Sequence, residues 1–385
     1  MLPNRSKQEK YAEEDLYMLE KYSLSHIYCM RLYNSYVSNP TYSFETVASS
    51  LFGVQSQVPH ASAIAFAVRT EGKTFSQFSE ALNSLRLIRL WGPRTTLHFY
   101  CRDDWDILLS QLSSTKSWYE KKMLKQGIDI APMINQVLDI IRDKNYFDRN
   151  YLIQNGIDKE QLGSWGDLLI ELNNKGHIFH CTEFPNRTKR FGNARILLGN
   201  GRSDDRKSLI DAKKEITSRF FSAYAPATSG DLAHWLGITV REAKEYIKLV
   251  EDKLRIIECG GKEYYIESSS AAASRLLCGH MNSDDCYLLP KFDPLLLAYR
   301  DKSWLADKSL QKRIWRTAGH VEGVVLQRGQ PAATWRYKLT HKKIGFEFAP
   351  FQHSFSLKDM ERNCRKIAFF FERPIDSIRV TEVFI

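Results

Sequence analysis

Ala227 to Ser268, "ATSGDLAHWLGITVREAKEYIKLVEDKLRIIECGGKEYYIES", carries the punctuation of a complete small fold. Thr228 or Ser229 can cap a short helix over Asp231 to Leu236, and Gly237 supplies a tight turn. Thr239-x-x-Glu242 is a capping box for a second helix, which places Ala243, Ile247 and Val250 on one face. Two short strands then flank Gly260-Gly261, a pair suited to a hairpin turn. Helix, turn, helix and hairpin in that order predict a winged helix.

The same grammar recurs towards the N-terminus. Asp158 to Gly199 opens on an expected capping box, Asp158-x-x-Gln161, with a helix through Trp165 to Leu172 and a stop at Gly176. Two strands then flank a basic tip that carries Arg187, Lys189 and Arg190. Further upstream, Ser43 can cap a helix that ends at Gly53, and Pro59 can open the next one. A helix from Phe75 to Leu85 leads into the strands of "LIRLWGPRTTLHFY". From about Cys286 strand signals dominate, notably in His320 to Phe351. The expected class is α+β, with tandem winged helices (helix-turn-helix plus β-wing) and then a C-terminal β-rich domain. The expected boundaries are an N-terminal arm at 1–22, winged helices at 23–104, 105–200 and 201–270, and the β-rich domain at 271–385.

Composition narrows the partners. The chain has 385 residues, is 43% hydrophobic and has a net charge of +10, which describes an ordered, basic protein. Its longest purely apolar run, Ala63 to Val68, is far short of the ~20 residues a membrane-spanning helix needs. The polar, acidic N-terminus does not read as a signal peptide. Seven cysteines are scattered with no C-x-x-C, so neither a zinc site nor a disulfide framework is expected, and a reducing cytoplasm fits. Positive charge gathers in three places: Arg187 to Arg219, Arg300 to Arg316, and "RYKLTHKK" at Arg336 to Lys343. Three such clusters favour a polyanion partner.

One feature resists a purely structural reading. Gln55 and Gln57 stand two apart between a helix stop and Pro59, inside an apolar region. In an extended segment residues two apart share a side. Proline disfavours helix at Val58. Two parallel amides offer two carbonyl acceptors and four N–H donors, enough to hold one water in a set orientation. An amide is a very poor base. The chemistry it supports must need only oriented water and an electrophile that is already activated. A satisfied polar turn is the alternative reading.

Four stretches resemble the AlkZ family of winged-helix DNA glycosylases. "GVQSQVPHASAIAFAVR" resembles its catalytic Q-x-Q motif, "WGPRTTLHFY" its W-x-x-R-G-T-L-H segment, and "LLPKFDPLLLAYRDK" and "ATWR" its C-terminal signatures. The resemblance implies tandem winged helices, excision of alkylated purines, and a catalytic pair at Gln55 and Gln57. Ser56 stands where the family usually has an apolar residue, and Thr95 where it has glycine, next to Pro93. The implied activity is monofunctional hydrolysis of the N-glycosidic bond of cationic N7-alkylated purines, interstrand crosslinks included. No lysine sits beside the glutamines to form a Schiff base with the sugar.

The expected DNA contacts are Arg94, His98, Arg187, Lys189, Arg190, Arg300, Arg336 and Lys338. Arg94 and His98 have a structural alternative, bracing the glutamine segment. Asp293 is expected to cap a turn or pair with Arg300, and Trp91 and Trp335 to stack on bases or fill the core. Neither metal nor organic cofactor is expected. The partner would be double-stranded DNA bearing an alkylated purine, met by a nucleoid-associated monomer. A non-enzymatic winged-helix regulator is the rival. It would need a dimer, and no long coiled-coil helix is evident. A nuclease would need a carboxylate cluster with metal-ligand spacing, which is not seen.

Overall fold

The local signals of the 227–268 stretch are realised in the computed structural model, which describes residues 22–114, 116–163, 166–181, 190–199, 207–268, 286–327, 329–352 and 355–381. Thr228 and Asp231 form a reciprocal capping box on the helix Ser229–Leu236, and Gly237 closes it in the left-handed conformation. Thr239 and Glu242 do the same for Val240–Lys248, whose Ala243 and Ile247 are buried, as is the following Val250. The strands β7 (Leu254–Cys259) and β8 (Lys262–Glu267) form the expected hairpin.

The first unit follows its caps as well. Ser43 caps Phe44–Ser50, Pro59 opens the helix Pro59–Arg69, and Thr74 caps Phe75–Asn83. Here β1 (Val54–Gln55), β2 (Leu87–Trp91) and β3 (Leu97–Cys101) form an antiparallel sheet with β3 in the middle. In the second unit Asp158 accepts from Glu160 N and caps only a four-residue helix, Lys159–Leu162. Gly163 and Gly166, both at positive φ, separate it from the helix Asp167–Asn174. Trp165, Arg187 and Lys189 lie outside the described residues.

The hairpins of these two units are one sheet. β2 pairs with β5 (Ile178–Cys181) at Arg89 and His180, which joins β4 (Tyr146–Asp148), β5 and β6 (Arg190–Asn193) to the first three strands. The order is β1-β3-β2-β5-β6-β4. The C-terminal part holds another sheet, of five strands. β9 (Cys286–Leu289), β10 (Gly323–Gln327), β11 (Gln330–Leu339) and β12 (Ile344–Pro350) run antiparallel. β13 (Ile375–Val380) pairs parallel to β12 after a thirteen-residue helix, Lys358–Phe370, because a parallel neighbour requires a crossover.

That helix brings Phe370 and the residue after it, Phe371, against Phe44 and Phe75 of the first unit. One core cluster accordingly runs from Tyr22 through the first unit, the 227–268 unit and the C-terminal sheet. A second, built on residues such as Val137, Leu152 and Leu168, fills the segment between. Trp335 belongs to the first cluster and Trp91 to the second. Asp293 caps the helix Pro294–Leu297, and its ion-pair partner is Arg69, not Arg300. Arg300 donates its backbone N–H to Asp231 instead.

Candidate active site

The helix Phe44–Ser50 ends at Gly53, whose φ of +102° admits few other residues. The ring of Tyr100 occupies the space a Cβ at Gly53 would need, 2.5 Å away. The chain leaves this turn as β1. Val54 pairs with Phe99 and Gln55 with His98, and Ser56 N–H donates to Leu97 O at 2.7 Å. Pairing carries the extended register one residue past β1. Gln57 then lies at a bend, exposed, before Pro59 starts the next helix. The Ser62 hydroxyl, 2.6 Å from Gln55 O and 3.1 Å from Val58 O, ties the first turn of that helix back to this segment.

Gln55 is only 8% exposed. Ser56 is fully buried, with Arg89 Nε 3.0 Å from its hydroxyl and Arg89 Nη2 2.7 Å from its carbonyl. Arg89 reaches Ser56 from β2, crossing the ring of Phe99 on the intervening β3. Burial pulls the guanidinium pKa down to about 10, which leaves it charged at neutral pH. Among the described residues, neither the Gln55 nor the Gln57 side-chain amide makes a hydrogen bond to the protein. The Gln55 amide is not sealed off from solvent, and its donor and acceptor capacity is left unused by the described residues.

Directly opposite residues on an antiparallel pair share a face. His98 is thus the cross-strand neighbour of Gln55. Burial drives its imidazolium pKa down to about 4; the Thr96 carbonyl opposes this shift and the charge of Arg94 adds to it. The ring is neutral at physiological pH, so Nδ1–H donates to Thr96 O at 2.9 Å and Nε2 keeps its lone pair. Arg94 and Thr95 form the tip of the β2–β3 hairpin, both at positive φ, near +59° and +57°. Without glycine these conformations are strained. The Arg94 side chain lies over Gly237, the turn between the two helices of the 227–268 unit.

The other expected contacts are spread out. Arg190 starts β6, pairs with Asp148 in register and lies over the ring of Tyr146. Arg300 is exposed beside the 227–268 unit. Arg336 and Lys338 are exposed on β11. The structure thus gathers Gln55 and His98, sets Arg94 at the tip of the same hairpin, and keeps the basic residues apart. Sequence reasoning missed Arg89; its one available signal was a charge in the middle of the apolar run "LIRLW".

One amide on a strand and one at the bend before a helix, without hydrogen bonds to the described residues and beside a neutral histidine, make up the candidate site. The model for "DNA glycosylase AlkZ-like" proteins matches residues 48–362, and the chain belongs to that family of DNA glycosylases. Among solved structures, Streptomyces sahachiroi DNA glycosylase AlkZ is similar in fold, with a TM-score of 0.77 at 19% identity, over 94% of this chain and 100% of that one. No curated protein sequence matches at a significant level.

Proposed function

We propose that this protein is a monofunctional glycosylase that hydrolyses the N-glycosidic bond of cationic N7-alkylated purines in double-stranded DNA, crosslinked guanines included. Each unit of helices and hairpin is read as a winged helix, with the boundaries expected from the sequence, and the chain acts as a monomer. The observation that carries the reading is the Gln55 amide, on a residue only 8% exposed, with no hydrogen-bond partner among the described residues, two positions from Gln57.

An N7-alkylguanine carries a positive charge. When the bond from C1′ to N9 breaks, its electron pair neutralises the ring, and the base leaves without being protonated. Water adds to C1′ and its proton passes to solvent. The amide oxygens of Gln55 and Gln57 orient that water and face the cation-like sugar of the transition state. The neutral His98 holds the opposite strand without adding positive charge. Arg94, Arg187, Lys189, Arg190, Arg300, Arg336 and Lys338 hold phosphates, which position DNA without reading its sequence.

Single-turnover release of 7-methylguanine from methylated duplex tests this. Gln55→Ala and Gln57→Ala should each slow release by ~10²-fold while DNA affinity is retained. The wild-type rate should be flat from about pH 6 to 8, because neither amide titrates and His98 is already neutral there. Uracil should not be released. A double variant with the wild-type rate would remove the glutamines from the mechanism.

A further inference from the structure

Glu322, immediately before β10, is 2% exposed and is the centre of a basic cluster. Arg336 Nη2 lies 2.8 Å from its Oε1, Lys291 Nζ 3.1 Å from its Oε2, and Arg316 Nε 3.5 Å from Oε1. His320 stands 3.7 Å from Oε1 and shares a 3.3 Å contact with Lys291. Burial opposes ionisation of Glu322, yet Arg336 and Lys291 hold its carboxyl down at about 2. One buried carboxylate therefore anchors three permanent cations that come from different segments of the chain. Arg336 and Arg316 still expose about half of their side chains, 56% and 54%. A structural ion pair needs one cation for one anion. Here two positive charges are left over, and Glu347, opposite Arg336 on β12, adds a second carboxylate.

Two of the three cations share one groove, and Arg316 lies outside its lining. Lys291 and Arg336 line a groove of about 600 Å³ between the C-terminal sheet and the start of the helix Pro59–Arg69. Val58 and His60, which follow Gln57, form the facing wall. Arg373 and His341 add to the lining, and among the described residues no aspartate or glutamate lines the groove. Beside these cations the lining is apolar and aromatic, with Phe75, Trp335, Tyr337, Leu339 and Phe371; fixed cations with no carboxylate among the described lining residues suit an anion.

We propose that this groove seats one phosphodiester of the DNA backbone close to the lesion, held by Arg336 and Lys291 on the Glu322 anchor, so that the Gln55–Gln57 segment is brought to its target in register. The proposal rests on the glycosylase reading for its ligand. Glu322 fixes the donors in place before DNA arrives, which lowers the ordering cost of the contact.

Binding alone can test it. The full chain is titrated with a duplex that carries a stable tetrahydrofuran abasic analogue, from about 50 to 200 mM salt. Arg336→Gln and Lys291→Gln should each reduce the slope of log affinity against log salt by ~0.9. Arg336→Lys keeps the charge and should keep the slope. Methylphosphonate linkages, neutral and placed one at a time around the analogue, should reveal one position that weakens the wild type but not Arg336→Gln. Arg373→Gln removes groove charge without touching Glu322 and should weaken binding with a smaller loss of slope than Arg336→Gln, a readout that remains even if the other variants fail to fold. Unchanged slopes in all folded groove variants, or methylphosphonate losses equal in wild type and variants at every position, would overturn the site. Wild-type chain that binds in this way but releases no base would leave the groove standing and sink the glycosylase reading instead.

Discussion

Arg89 fixes the residue between the two glutamines. Side chains alternate along an extended segment, so Ser56 clamped inward turns Gln55 the other way and sets where the bend at Gln57 begins. Arg89 clamps Ser56 at both hydroxyl and carbonyl, and the fork geometry of a guanidinium fixes direction as well as distance. Arg89→Met should slow base release by roughly tenfold or more, since small misplacements of a positioned group are costly, while DNA affinity is unchanged. It should also destabilise the fold by about 1–3 kcal/mol, because two buried acceptors lose their donor. Ser56→Ala keeps the carbonyl contact and should be milder in both respects. Single-turnover rates, binding and urea denaturation on the same variants check this, and an unchanged rate in Arg89→Met would show that Ser56 is held by other means.

At the scale of elements, the turn before β1 sets the register of the whole segment. Gly53 is at φ +102°, and Tyr100 packs where its Cβ would stand. Gly72 is also at positive φ, +64°, but nothing lies within 4 Å of the Cβ it lacks. Gly53→Ala should therefore cost about 2–4 kcal/mol, combining backbone strain with overpacking. Gly72→Ala should cost only about 1 kcal/mol, the backbone part alone. Denaturant midpoints at constant m-value separate the two. Equal losses would mean that the Tyr100 contact relaxes without cost.

Across the whole molecule, a fully buried ion pair joins the first unit to the C-terminal part, beside a partly exposed one between Glu71 and Lys366. Arg69 and Asp293, both fully buried, meet through two bonds of 2.8 Å. Arg69 also donates to Ser35 O at 2.8 Å, and Asp293 accepts from Leu295 N at 2.9 Å. Removing one partner strands a charge in the core. Arg69→Met or Asp293→Leu should each lose about 3–5 kcal/mol, and the double variant should recover much of that loss. Denaturation of the three variants closes a double-mutant cycle, and additive losses would show that the residues are not coupled. The loss should extend to base release, because the helix Pro59–Arg69 carries Arg69 at one end and follows the glutamine segment at the other.

The local grammar was legible from the residues alone. The capping boxes at Thr228–Asp231 and Thr239–Glu242, the Ser43 cap and the Gly260-Gly261 hairpin each close within a few residues. Such contacts depend on the chain's own neighbours and need no knowledge of what packs above them. The out-of-place glutamines were legible for the same reason: their oddness is a mismatch with adjacent residues. Asp158 shows where this grammar fails, since two glycines a few residues on broke the helix that its cap announced. The tertiary structure alone decided which distant groups meet. Asp293 could have taken Arg300, nearby in sequence, yet it took Arg69, 224 positions away. The fusion of two hairpins at Arg89 and His180, the clamp on Ser56 and the four basic groups around Glu322 are of the same kind. A charged side chain in a sequence has many possible partners. Only the stacking of elements, driven by apolar burial that does not specify ion pairs, brings one of them within reach.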